Sequence, residues 1–257
     1  MGWGAPSQTT HAGAALYYEV HGPADAQPVL LLHGSLGSSE DFDNLAPVLV
    51  GAGYWVVAMD CRGRGRSAWG DLPITFEQMA ADAVGLLDHL GIEKTDVVGW
   101  SDGAIIALDL ATHHPERLDR VVAYGAIITP EGNQFVESDQ MLPFESFIAT
   151  YRRLSPEPER FEELLGVLDG LTKVGPNYSE EELKGIAVPV LILDGAEDEF
   201  ITPDQPVRLA ELIPGATLVI MPGTGHFAMS ARPGLFNRIV LEYLAGKTPA
   251  VPGTPTP

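Results

Sequence analysis

Short, continuously apolar runs alternate along the chain with longer segments whose apolar positions recur every three or four residues. The runs at 28–33, 55–60, 95–98, 120–124, 188–194 and 216–221 are rich in Val, Ile and Leu. Strands of that composition are buried on both faces, as in a parallel sheet covered by helices on both sides. Residues 15–20 read instead as one arm of an antiparallel hairpin at the sheet edge. Helical spacing over 76–90 comes with Thr75 as N-cap and Gly91 just past the end. A buried helix follows 95–98, and a last helix covers 236–244.

The alternation stops between Thr129 and Gly185. This stretch is acidic, is broken by Pro143, Pro156, Pro158 and Pro176, and carries apolar stripes that include Phe144, Phe147, Tyr151, Phe161, Leu164 and Leu168. It reads as a small helical lid inserted between two strands. The predicted organisation is a core of 1–128 and 186–246, a lid of 129–185, and a tail of 247–257. That tail is proline-rich, lacks apolar periodicity and is expected to be disordered.

At 257 residues the chain suffices for one large domain with a substantial core. Its 15 Lys and Arg stand against 35 Asp and Glu, a formal charge of −20. Such a surface repels a phosphate backbone, so nucleic acid is not an expected partner. No apolar run approaches the ~20 residues of a membrane span, so no membrane partner is expected either. The first residues lack the basic cluster and apolar core of a secretory leader. The single cysteine, Cys61, allows no internal disulfide. Both features lead to the expectation of a cytoplasmic protein, in which Asn177-Tyr178-Ser179 is a chance match to a glycosylation acceptor. Oligomeric state is not legible.

The chemistry concentrates at Gly99-Trp100-Ser101-Asp102-Gly103, between a strand and a buried helix. A serine on so sharp a turn is held in a strained backbone conformation, and residues two positions away must be small; both are glycine. The turn lifts the hydroxyl above the sheet, beside the free N–H groups of a helix N-terminus. A serine hydroxyl attacks only when a base takes its proton. His226, in the loop after the last strand, reaches the same sheet edge. His113 and His114 sit at the far end of the helix, His89 lies within another, and His11 and His21 are near the N-terminus.

An imidazole base needs a carboxylate to fix its tautomer. Asp198, four residues past its strand, has the reach. Asp194 closes the strand and supports the turn, and Glu197 and Glu199 are expected to point elsewhere. Two backbone donors would face a developing oxyanion: the N–H of Asp102, and that of Ser35 or Leu36 in His33-Gly34-Ser35-Leu36-Gly37. His33 reads as a buried residue holding this turn. Trp100, Asp102 and Phe227 are candidate substrate contacts. No ligand cluster is spaced for a metal, and this chemistry calls for no cofactor.

Together, His33-Gly34, Asp60-x-Arg62-Gly63-x-Gly65-x-Ser67, Gly99-x-Ser101-x-Gly103, Asp198 and Gly225-His226 resemble the α/β-hydrolase family, in its order of serine, acid and histidine. The resemblance covers about residues 14 to 245. It implies a mostly parallel eight-stranded sheet with helices on both faces and a helical lid over the serine. Relatives that open epoxides or displace halide carry aspartate where Ser101 stands, so the implied chemistry is acyl transfer to water. The implied activity is hydrolysis of a small-molecule carboxylic ester or lactone through an acyl-enzyme on Ser101, with His226 as base and Asp198 as orienting acid. Within this pattern, Arg62-Gly63-Arg64-Gly65-Arg66 reads as a structural turn and not a phosphate site. The same triad supports C–C bond hydrolysis of dienoic ring-cleavage products and cofactor-free perhydrolysis elsewhere in the family. Receptors on this fold bind a ligand with little turnover.

Asp102 sharpens the question of substrate. In the first turn of a helix its charge gains roughly 0.3–1 kcal/mol from the macrodipole. About 6 Å from a forming oxyanion it would oppose that charge by up to roughly 3 kcal/mol, at an effective dielectric of ~20. A substrate ammonium between the two would offset this. Gly-Trp-Ser-Asp-Gly is similar to the elbow of valacyclovirase-like hydrolases, where the acid after the serine is associated with α-amino-acid esters. An ordinary esterase and an amino-ester hydrolase both remain open on sequence.

Overall fold

The computed structural model describes residues 7–249 and residue 251. One sheet contains β1 (Ser7–His11), β2 (Ala14–His21), β3 (Pro28–Leu32), β4 (Trp55–Met59), β5 (Thr95–Trp100), β6 (Leu118–Tyr124), β7 (Val190–Gly195) and β8 (Thr217–Met221). The helices are α1 (Ala46–Gly51), α2 (Phe76–Leu90), α3 (Asp102–His113), α4 (Phe144–Leu154), α5 (Phe161–Val174), α6 (Glu180–Gly185), α7 (Asp204–Leu212), α8 (Ala228–Ala231) and α9 (Pro233–Leu244). Strand order is β1-β2-β4-β3-β5-β6-β7-β8. The β1–β2 and β2–β4 pairs are antiparallel and the rest parallel. This is the eight-stranded, mostly parallel α/β-hydrolase sheet that the motifs imply. Among the described residues no helix is long and apolar enough to cross a membrane.

Alternation along each strand divides the core in two. Val29, Leu31, Val98 and Val122 face α1 and α9, packing with Leu49, Phe236 and Ile239. Leu30, Leu32, Val57 and Val97 face the opposite way, toward Met79 of α2, Ile106 of α3 and Leu209 of α7. Leu30, Leu31 and Leu32 are all fully buried, each contributing roughly 1.5–3 kcal/mol relative to exposure. The order reverses at β3, with β4 on one side and β5 on the other. The loops leaving β3 and β5 therefore diverge and open a crevice at the carboxyl edge of the sheet.

Local signals account for several boundaries. The Thr75 side chain accepts from Gln78 N–H, and Gly91 ends α2 at φ 69°. The last helix starts at Pro233 rather than 236, because proline suits a first helical turn. Three elements are too short or too polar for the sequence pattern to mark. The polar strand β1 is carried by pairing with β2, while α1 and α7 are short and packed onto finished strands.

Residues between β6 and β7 hold α4, α5 and α6. Tyr151, Phe161, Leu164 and Leu168 are buried in the core face that α2 and α3 share, whereas Phe144 stays half-exposed. Polar contacts fix this insertion over the sheet edge. Arg153 grips both oxygens of Glu40, Glu157 accepts the Trp69 N–H at 3.0 Å, and Arg160 lies 3.7 Å over the Trp69 ring. Pro249 and Val251 are buried, Val251 within the α9 face. An apolar residue close to a core face packs without needing periodicity. Residues 250 and 252–257 lie outside the described residues, as do 1–6, on which the leader expectation rests.

His33 ties the ends of two strands together. Its Nε2 accepts the Cys61 N–H at 2.9 Å, so the proton sits on Nδ1, which donates to the Gly34 carbonyl at 2.7 Å. Burial, reinforced by the charge of Arg64, pushes this imidazole down to about 3 from an ordinary 6.5. The unfolded chain therefore binds the extra proton between those values. Stability from this group is complete above pH ~6.5 and is lost as pH falls toward ~3, at a slope of about 1.4 kcal/mol per pH unit. Urea unfolding between pH 6.5 and 4 is expected to show a steeper loss of stability in the wild type than in His33→Gln. Equal slopes would contradict the assignment of a neutral His33.

Candidate active site

Ser101 occupies the N-cap of α3 at φ 57°, ψ −119°. A non-glycine residue there carries about 1–3 kcal/mol of strain, which persists only if its surroundings over-determine it. They do. The Ser101 N–H donates to the Tyr124 carbonyl at 2.8 Å, and its carbonyl accepts from Ala104 at 2.8 Å and Ile105 at 3.1 Å. A β-carbon at Gly99 would overlap the Gly103 carbonyl, and one at Gly103 would overlap the Leu32 carbonyl. The helix start is thereby wedged between two strand ends. A β-carbon at Gly34 would lie 3.1 Å from the Trp100 ring and 3.2 Å from Ser101 Cβ, so the loop after β3 also closes on the turn.

His226 is buried beside this turn, in the loop between β8 and α8. Its Nδ1 hydrogen bonds Asp198 Oδ2 at 2.7 Å. The other oxygen of Asp198 accepts the N–H groups of Phe200 at 2.8 Å and Ile201 at 2.9 Å. The imidazole is packed on several sides, with ring centroids at 5.1 Å (Phe200), 5.7 Å (Trp100) and 6.3 Å (Tyr124). Trp100 also donates its indole N–H to the His226 carbonyl at 2.9 Å. Little rotamer freedom is left to the ring.

Ser101 and His226 open onto one cavity of about 480 Å³, a size typical of small-molecule sites. Phe76, Ile105, Phe144, Phe147, Phe200 and Phe227 make most of its wall apolar. Ser35, Leu36, Trp100 and Asp102 also line it, so every residue singled out for substrate or oxyanion contact reaches the cavity. Among the described residues, the backbone N–H groups of Ser35, Leu36 and Asp102 have no hydrogen-bond acceptor.

The acidic loop after β7 behaves differently at each position. Burial, the neighbouring Asp198 charge and a hydrogen bond to Asp198 push the Asp194 carboxyl well above its ordinary range. These influences favour the protonated form of Asp194, whose Oδ1 accepts the Gly195 N–H at 2.8 Å. Burial would raise Asp198 too, but its interaction with His226, with Asp194 and with backbone N–H groups brings it below normal. Glu197 does point away, toward Gln140. Glu199 does not: buried, it accepts the backbone N–H of His226 at 2.7 Å. The spacing rule that singled out Asp198 could not see that contact, which depends on how the β8 loop folds back. Tyr124 is a second residue that sequence reasoning passed over. Its hydroxyl donates to the Gly225 carbonyl and accepts the Ala228 N–H, pinning both sides of His226.

A protonated Asp194 is matched in shape and hydrogen bonding by asparagine. Asp194→Asn is expected to leave the melting temperature within about 3 °C of wild type at pH 7, less than about 1 kcal/mol for a chain of this size. A fall beyond ~8 °C in thermal unfolding would show that Asp194 is ionised.

The alpha/beta hydrolase family model matches residues 29–239. A protein of Caulobacter sp. (strain K31) named as a carbamate hydrolase, RutD, is 32% identical over 90% of this chain and 96% of its own. The 3-oxoadipate enol-lactonase 2 of Acinetobacter baylyi is 30% identical over 90% of this chain and 93% of its own. A solved structure of the meta-cleavage product hydrolase CumD from Pseudomonas fluorescens IP01 superposes with a TM-score of 0.78 at 24% identity, covering 93% of this chain and 97% of that one. The sheet order, the strained turn after β5 and the family match converge: this chain belongs to the alpha/beta hydrolase family.

Proposed function

We propose that the protein hydrolyses small, largely apolar carboxylic esters or lactones through an acyl-enzyme on Ser101. The observation that carries this reading is the strained serine at the head of α3, sharing one apolar cavity with a buried histidine whose Nδ1 is held 2.7 Å from a carboxylate. With Asp198 on Nδ1, the free Nε2 is the basic nitrogen and takes the Ser101 proton as the hydroxyl attacks. The tetrahedral oxyanion is received by the N–H of Asp102 and by that of Leu36 or Ser35. His226 then returns its proton to the leaving alkoxide, and water repeats the sequence to release the acid. Six large apolar side chains around the cavity favour an uncharged acyl group of modest size. The relatives named above act, by their names, on different bonds, so the family match supports a hydrolase and the cavity chemistry supplies the narrower reading.

Chromogenic acetate, butyrate and octanoate esters, with a γ-lactone, are the test. Ser101→Ala and His226→Ala should each cost on the order of 10⁶ in turnover, and Asp198→Asn on the order of 10⁴, all with unchanged far-UV circular dichroism. A folded Ser101→Ala variant as active as wild type would refute the reading.

A further inference from the structure

The turn Arg62-Gly63-Arg64-Gly65-Arg66 distributes its three cations among different carboxylates. Arg62 donates through Nε and Nη2 to the two oxygens of Asp82, both at 2.6 Å. Arg66 pairs with Glu40 and lies 3.7 Å from Asp60, whose oxygens accept the N–H groups of Ser39 and Arg66. Arg64 is different. It is fully buried, its Nη2 donates to the Met79 sulfur at 2.8 Å, and its Nε and Nη1 have no hydrogen-bond partner among the described residues. Among those residues, the one carboxylate within 4 Å is that of Asp102, at 3.8 Å.

Asp102 is itself buried, 4% exposed, and forms part of the cavity wall directly after Ser101. The neighbouring Ser35 hydroxyl favours the charged form of its carboxyl, and its Oδ2, the oxygen that faces Arg64, accepts no hydrogen bond among the described residues. Two opposite charges so deeply buried are strongly disfavoured apart and tolerated together. Burial raises the Asp102 carboxyl, and Arg64 is the largest influence acting against that rise.

We propose that Arg64 is the fixed internal counter-ion of Asp102 and a specificity-determining residue, turning the site away from α-aminoacyl esters and toward uncharged acyl groups. The inference rests on the ester-hydrolase reading above. A substrate ammonium reaching Asp102 from the cavity would have to share its carboxylate with a guanidinium that cannot leave, and would be repelled by it. The same pairing offsets the repulsion between Asp102 and an oxyanion, which a lone carboxylate beside Ser101 would impose.

The test compares kcat/KM for two matched probes, the p-nitrophenyl ester of L-valine and p-nitrophenyl isovalerate, which differ only in the amino group. Arg64→Met should raise the amino-to-uncharged ratio by about tenfold or more, and Arg64→Met with Asp102→Asn should return it to the wild-type value. Arg64→Lys, which keeps the charge, should hold the wild-type ratio. An unchanged ratio in a folded Arg64→Met variant overturns the proposal. A second readout needs no turnover: urea unfolding of wild type, both single variants and the double. The unfolding constant of the double variant should be disturbed at least about tenfold less than the product of the single effects. Additive effects overturn the ion pair whatever the esters do. Equal ester turnover by wild type and Ser101→Ala would instead refute the hydrolase reading, with the unfolding cycle still deciding whether Arg64 serves Asp102.

Discussion

Ser101 holds φ 57° and ψ −119° at the point where β5 becomes α3, and much of the surrounding sequence answers to that requirement. The turn must be tight enough to present a side chain at the carboxyl edge of the sheet. It then brings the start of α3 against the ends of β3 and β5, where Gly99 and Gly103 leave no room for a β-carbon. The strain is held by strand pairing through Tyr124 on one side and by the first turn of α3 on the other. Tyr124 then reaches across to the His226 loop, so the element that fixes the serine also helps to fix the proposed base. A serine geometry this costly, about 1–3 kcal/mol, persists because strand pairing and the first turn of the helix both require it.

Electrostatics is arranged at similarly close range. The chain is strongly acidic, yet near the site its carboxylates are answered individually. Asp82 has Arg62, Glu40 has Arg66 and Arg153, Asp198 has His226, and Asp102 has Arg64. Buried charges need partners within a few ångströms because the interior cannot screen them. Glu40 serves twice, since Arg153 comes from α4 of the insertion and Arg66 from the core. The insertion is thus anchored through the same network that orders the loop after β3.

Legibility in the sequence followed the range of the governing interaction. Gly99 and Gly103, the Thr75 cap and the Gly91 stop act over a few residues and could be read directly. The apolar strands were legible because burial on both faces leaves one composition. That Asp198 and His226 meet at one sheet edge follows from their position after strands, a rule about topology that needs no side-chain contacts. What escaped depends on residues far apart in the chain. The strand β1, Ser-Gln-Thr-Thr-His, is made a strand by β2, and Tyr124 meets its partner at Gly225 across 101 positions. Glu199 holds the backbone of His226 through a loop fold that spacing does not encode. The three arginines of one short turn are equivalent in sequence, and only packing separates Arg64, fully enclosed, from Arg66, which is partly exposed.

The proposed ester hydrolysis requires Ser101 to be the one activated hydroxyl of the cavity. The most direct measurement is covalent labelling with a fluorophosphonate followed by peptide mass spectrometry, in wild type and His226→Ala. The predicted result is a single adduct on the peptide containing Ser101, formed rapidly in wild type and orders of magnitude more slowly without His226. An adduct on another residue, or none in a folded wild-type protein, would contradict it.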